Sequence, residues 1–146
     1  MKWKKIPLAL LFLGVMIQFI RPDMAPVPVD PKHTMEAVLP VPPPIDATIR
    51  RACYDCHSNV TRWPWYSQIS PVSWWLKSHV NDARHVLNFS EFAALPKKKQ
   101  IKKLGDACDE VKSGDMPLKV YVPMHPAARL TDPDRAALCT WFTSLK

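Results

Sequence analysis

Val72, Trp75, Leu76, His79, Val80, Ala83 and Leu87 fall three and four positions apart, the spacing that puts apolar side chains on one face of a helix. That pattern predicts a helix after Ser70-Pro71, with serine as cap, proline in the first turn and His79 on the buried face. Between Lys97 and Ser113, Ile101, Leu104, Cys108 and Val111 form a second apolar stripe, and Gly114 follows where a left-handed cap is wanted. Asn88-Phe89-Ser90 restarts the chain, and Ser90 or Pro96 opens this helix. A closing helix runs from Thr131 or Asp132 to Lys146. Thr131, Asp132, Pro133 and Asp134 supply its cap, first-turn proline and favourable charge, while Leu138, Trp141, Phe142 and Leu145 form its buried face with Cys139 at the margin. A shorter helix is expected over 45–58, begun by Asp46 or Thr48. The elements predict an all-α fold.

Two segments precede these helices. Residues 1–21 begin with Lys2, Lys4 and Lys5, and the run from Ile6 to Ile20 is apolar apart from Gln18, the order of an export signal. Fifteen helical residues rise about 22 Å, short of a hydrocarbon core of roughly 30 Å. The flank Arg21-Pro22-Asp23-Met24-Ala25 offers only Ala25 as a small residue for cleavage, and Trp3 and the lysines could extend the span. The expectation is an uncleaved anchor, with cleavage as the alternative. In both cases the remainder is exported. Residues 22–44 hold eight of the 16 prolines and cannot form regular helix or central strand. They read as a semi-rigid linker of at most about 70 Å, holding the domain of residues 45–146 off the membrane; the plainer alternative is a segment wrapped on the domain surface.

The chain has 146 residues, 47% of them hydrophobic, enough for one small core. Its formal charge of +7 points to an acidic redox partner or an anionic membrane surface, or to no more than a basic face. The lysines concentrate at Lys97, Lys98, Lys99, Lys102 and Lys103 without interleaved aromatics, which fits a solvated helix face and gives no support to nucleic acid binding.

The chemistry lies in Cys53-Tyr54-Asp55-Cys56-His57, the C-x-x-C-H pattern of covalent haem attachment. On a helical turn Cys53, Cys56 and His57 share a face, so two thiols can form thioethers with haem c while the imidazole reaches the iron from the same side. A zinc site would need a second ligand pair, and the remaining cysteines, Cys108 and Cys139, begin none. A thioredoxin-like site would need a strand-helix-strand setting. Burial of the porphyrin would enlarge the small core, and the six tryptophans would suit its wall. Cys108 and Cys139 either pair as a disulfide or remain two buried thiols.

The sixth iron ligand is sought after the motif. Met116, in Gly114-Asp115-Met116-Pro117, carries a soft neutral sulfur in a loop stiffened by proline, and His/Met ligation raises the reduction potential. Met124, His125 and His79 are the alternatives. A helical histidine such as His79 is more often an ordinary core residue, and most methionines are gap fillers.

Cys53-Tyr54-Asp55-Cys56-His57-Ser58-Asn59, Trp63-Pro64-Trp65-Tyr66, Pro71 with Trp74-Trp75, His79-Val80-Asn81, Asn88-Phe89-Ser90, Met116-Pro117, and His125-Pro126 with Leu130 together resemble the membrane-anchored bacterial haem-binding domain proteins of the c-type cytochrome class. The resemblance implies one covalent haem in a small cytochrome c-like helical domain on the periplasmic side of the inner membrane, or soluble in the periplasm after cleavage. Carried over by position, it makes His57 the proximal ligand and Met116 the distal one. Cys108 and Cys139 lie outside the shared pattern.

The leading functional expectation is a one-electron carrier, not a catalyst. The alternative is a peroxidase or small-ligand-binding haem protein with an open distal side, where His79 or His125 would act as acid/base. A third possibility is a module without haem whose cysteines bind zinc or exchange disulfides.

Overall fold

The computed structural model describes residues 5–145, and helices and turns account for all the regular structure among them. α1 spans Lys5–Met16, α2 Pro43–Ala52, α3 Tyr54–His57, α4 Val72–Val86, α5 Lys97–Ser113 and α6 Asp132–Ser144, with 3₁₀ turns at Ile17–Phe19, Met35–Ala37, Trp65–Gln68, Phe89–Ala94 and Pro126–Ala128. The all-α expectation is met. Lys2, Trp3, Lys4 and Lys146 lie outside the described residues.

The two later helices form as their patterns predict. Gly114 ends α5 at φ 78°, a left-handed conformation that costs glycine nothing, and its amide closes onto the last turn. Thr131 and Asp134 form a reciprocal capping box at the start of α6, with Pro133 in the first turn. Leu104, Cys108 and Val111 of α5 are buried with Leu138, Cys139 and Phe142 of α6, while Ile101 stays exposed. Cys108 and Cys139 are joined in a disulfide, with their Cα atoms 4.9 Å apart and a sequence separation of 31. Closing a loop of that length removes unfolded-state entropy worth on the order of 3–4 kcal/mol.

The earlier half departs from its pattern in three places. The helix expected over 45–58 is two, because Cys53 leaves helical geometry at φ −124° and α3 is one separate turn. α4 starts at Val72 without a side-chain cap. Its buried face is Ser73, Leu76 and Val80, whereas Val72 and Trp75 are exposed and His79 is half-buried. The physical reason lies upstream. Ser70 is already engaged: its amide bonds to Gln18 Oε1 at 2.9 Å, its hydroxyl donates to the Ile20 carbonyl at 3.3 Å, and its carbonyl accepts from Gln18 Nε2 at 3.0 Å.

The chain before α2 therefore lies on the domain as a strap. Trp74 Nε1 donates to the Ile20 carbonyl at 2.7 Å, Asn59 Nδ2 to that of Pro28 at 3.0 Å, and the Ala93 amide to that of His33 at 2.8 Å. Prolines donate nothing, so the strap is held through its carbonyls by donors on the domain. Met35 at its centre is fully buried in the main core, beside Ile49, Tyr54, Phe89 and Phe92. Glu36 receives the Tyr54 hydroxyl and pairs with Arg50 at 2.7 Å. The wrapped segment, not the projecting tether, is the arrangement found.

The expected membrane-spanning anchor is corrected. Among the described residues no helix is long and apolar enough to cross a membrane. α1 has 12 residues, about 18 Å of rise against a core of roughly 30 Å. It ends where Gln18 turns back onto Gly14 and across to Ser70.

Met35→Ala should lower the unfolding free energy by about 2–5 kcal/mol in urea titrations, the cost of truncating a buried large side chain. A loss within a few tenths of a kcal/mol would mean that the strap contributes no packing.

Candidate functional site

α3 is a single turn in which the Cys56 and His57 amides close onto the Cys53 carbonyl at 3.1 and 2.8 Å. Its residues diverge. Tyr54 turns into the core, where its ring stacks on Phe89 at 5.5 Å and 12°. Asp55 pairs with Arg62 at 3.2 Å and accepts from the hydroxyl of Tyr121 at 3.0 Å. Cys53, Cys56 and His57 line the walls of two adjoining cavities, of about 540 and 220 Å³.

Ala52, His57, Val86, Met116 and Pro117 border both cavities, which makes them parts of one cleft. Leu87, Phe89, Leu130 and Phe142 add apolar wall to the larger one, and Cys53 lies among them. Cys56 faces the smaller one, with His79, Asp82 and Tyr121. The larger volume is typical of small-molecule and cofactor sites.

His57 is held by its Nδ1, 3.0 Å from the Leu87 carbonyl. A carbonyl only accepts, so Nδ1 carries the proton and Nε2 keeps a free lone pair. Burial holds the imidazole below its ordinary pKa, and the carbonyls of Leu87 and Ala83 oppose that shift. The net result is a neutral ring, the form that binds metals. Cys53 and Cys56 are free, half-buried thiols. Burial pushes Cys53 up to about 12 and Cys56 up to about 11, each aided by a neighbouring negative group. Thiols poised for disulfide exchange are shifted the other way. Among the described residues no group of three or more His, Cys, Asp or Glu is gathered as a metal-ion site.

The residues just after the motif are clamped to those just after α4. Ser58 and Asn59 are buried. Arg84 Nε donates to the Ser58 carbonyl at 2.8 Å, the Asn59 amide donates to Ser90 Oγ at 3.0 Å, and Asn88 Nδ2 donates to Asn59 Oδ1 at 2.8 Å. These contacts fix α3 against the segment that supplies the Leu87 carbonyl.

An apolar cleft in an all-helical domain, with two free thiols, one oriented imidazole and a methionine on its walls, fits a flat apolar macrocycle around a metal, and defines the class as a haem binder. The family model described as Haem-binding domain matches residues 12–144, and the chain belongs to that family. The match takes in the strap as well as the helices. No curated protein and no solved structure matches the chain.

The residues expected at the site do not all meet there. Cys53, Cys56, His57 and Met116 border the cleft, and His79 borders its smaller part, with its Nδ1 2.9 Å from the Trp75 carbonyl. Met124 is exposed and His125 is engaged elsewhere, its Nε2 2.7 Å from the Tyr66 hydroxyl. The tryptophan wall is not found among the described residues: none of Trp63, Trp65, Trp74, Trp75 and Trp141 lines either cavity, and Trp65 and Trp75 are exposed. Aliphatic side chains and Phe89 and Phe142 take that place. Lys102 and Lys103, expected on a solvated face, edge the larger cavity beside Asp106 and Glu110. Sequence reasoning missed the Leu87 carbonyl as the acceptor that orients His57, and Asp55 and Tyr121 as a pair. A backbone acceptor leaves no mark in a sequence, but a tyrosine five residues beyond Met116 was there to be noticed.

The His57 shift fixes a pH dependence in the haem-free protein. Its folded pKa is depressed, so the unfolded state binds more protons below the ordinary histidine value near 6.5, and stability falls as pH drops through that value. Urea midpoints of the haem-free protein should be lower at pH 5 than at pH 7, and His57→Gln should flatten that difference.

Proposed function

We propose that this haem-binding domain carries single electrons on one covalent haem, to which Cys53 and Cys56 would form thioethers and whose iron His57 and Met116 would ligate. The observation that carries the reading is the convergence of these four side chains on one cleft, with His57 already oriented through Nδ1. When bound, the haem supplies reversible one-electron chemistry at its iron.

The chain's own residues do the remainder. His57 offers Nε2, and the Leu87 carbonyl on Nδ1 fixes the ring and makes that nitrogen a better donor. Met116 brings a neutral sulfur, which raises the potential relative to a second imidazole. Val86, Leu87, Phe89, Leu130 and Phe142 keep water from the cleft, another means of tuning the potential. Lys102 and Lys103 at the rim, within a chain of net charge +7, favour encounter with an acidic redox partner at low ionic strength. The Cys108–Cys139 disulfide supports an oxidising compartment.

One observation favours a second reading. His79 borders the smaller cavity with only its Nδ1 engaged, as a distal acid/base would in a peroxidase or small-ligand-binding protein. The ferric spectrum separates the two: low-spin with a far-red methionine-to-iron band for the carrier, high-spin for the open site.

Two experiments test the leading reading on protein matured with the cytochrome c assembly machinery. Cys53→Ser with Cys56→Ser should abolish covalent haem, so that the intact mass equals the polypeptide alone; a retained haem adduct would refute the thioethers. Met116→Ala should remove the far-red band, lower the potential and admit added imidazole to ferric iron, whereas an unchanged spectrum and potential would transfer the role to another residue.

A further inference from the structure

The connection between α5 and α6 carries Met116, and both flanks of that residue are fixed. On one side the amides of Asp115 and Met116 each close onto the Glu110 carbonyl at 3.1 Å, and Arg135 donates to the Met116 carbonyl at 3.2 Å. Five residues on, the Tyr121 hydroxyl donates to Asp55 Oδ2 at 3.0 Å. Asp55 stands between the two cysteines of the motif, so this bond joins the loop that carries Met116 to the turn that carries His57. The ring of Tyr121 is itself braced, stacked on His125 at 3.9 Å and 8°, with His125 tied in turn to Tyr66 at 2.7 Å. Both Asp55 and Tyr121 border the smaller cavity, beside His57 and Met116.

A soft thioether binds iron weakly and competes with any small ligand that enters, so its hold depends on how firmly its loop is positioned. A hydrogen bond to a carboxylate is among the stronger kinds available for that purpose. We propose that Tyr121 and Asp55 are positioning residues, forming a latch that holds the Met116 loop over the cleft and so sets how well the sixth position is closed. The proposal rests on the ligation of iron by Met116 set out above. It gives the central residue of the C-x-x-C-H turn a purpose in holding the loop that carries Met116.

The test uses the full haem-loaded protein in its ferric form with imidazole as the probe. Tyr121→Phe keeps the ring on His125 and removes only the donor. It should tighten imidazole binding about ten- to hundredfold and weaken the far-red band. In a Met116→Ala background the same change should leave imidazole affinity where it was, because no ligand is left to hold. Asp55→Asn retains only a neutral, weaker acceptor for Tyr121 and should fall between the parent protein and Tyr121→Phe. The latch is refuted by a Tyr121→Phe protein with parental band and affinity, or by an equal tightening with and without Met116. A parent protein with no far-red band would sink the ligation by Met116 and the latch together, while an intact band indifferent to Tyr121 would sink the latch alone.

Discussion

The contact between His57 Nδ1 and the Leu87 carbonyl is the constraint around which the rest is arranged. It exists because α4 stops at Val86 and Leu87 is extended, at φ −151° and ψ 124°, so its carbonyl is released from the helical ladder while its amide still closes onto Ala83. One residue earlier the Val86 carbonyl is already engaged, accepting from the Lys103 ammonium, so the acceptor for the imidazole comes from Leu87. Everything nearby holds the two elements in register: Arg84 on Ser58, Asn88 and Ser90 on Asn59, and Phe89 edge-on to the His57 ring at 6.4 Å. The neutral, directed imidazole is thus a property of tertiary packing, not of the motif alone.

Where sequence reading succeeded, the determinants were local. Gly114 had to be left-handed and is, and Thr131 with Asp134 had to close a capping box and do. Cys53, Cys56 and His57 border the cleft, although Cys53 itself lies outside the helical turn. Where it failed, a distant segment intervened. His79 and Trp75 shared a helical stripe with Leu76 and Val80, but the strap claimed Ser70 and Trp74, and the stripe that is buried begins at Ser73 instead. Tryptophan count misled for a related reason. Large rings suit any apolar wall, and here Trp74 is spent on gripping the strap through its indole N–H.

The strap also alters what the proline-rich stretch is for. Proline density suggested reach, yet a chain without free donors suits a surface crowded with unsatisfied ones, and Asn59, Trp74 and the Ala93 amide each take a carbonyl from it. With Met35 sealed in the core and Glu36 bonded to Tyr54, the strap reaches the residue next to Cys53. Its removal would strip the cover from Tyr54 in the C-x-x-C-H turn.

The four cysteines place opposite demands on one polypeptide. Cys108 and Cys139 are oxidised and locked between two helices, whereas Cys53 and Cys56 are free sulfurs at the cleft. Any route to this state oxidises one pair and leaves the other reduced. Location separates their fates, since the first pair is buried between α5 and α6 and the second faces the cleft. A mispairing across the two sets would forfeit the cross-link between α5 and α6 and tie up the cleft sulfurs, so the order in which this chain is oxidised matters as much as the fold it reaches.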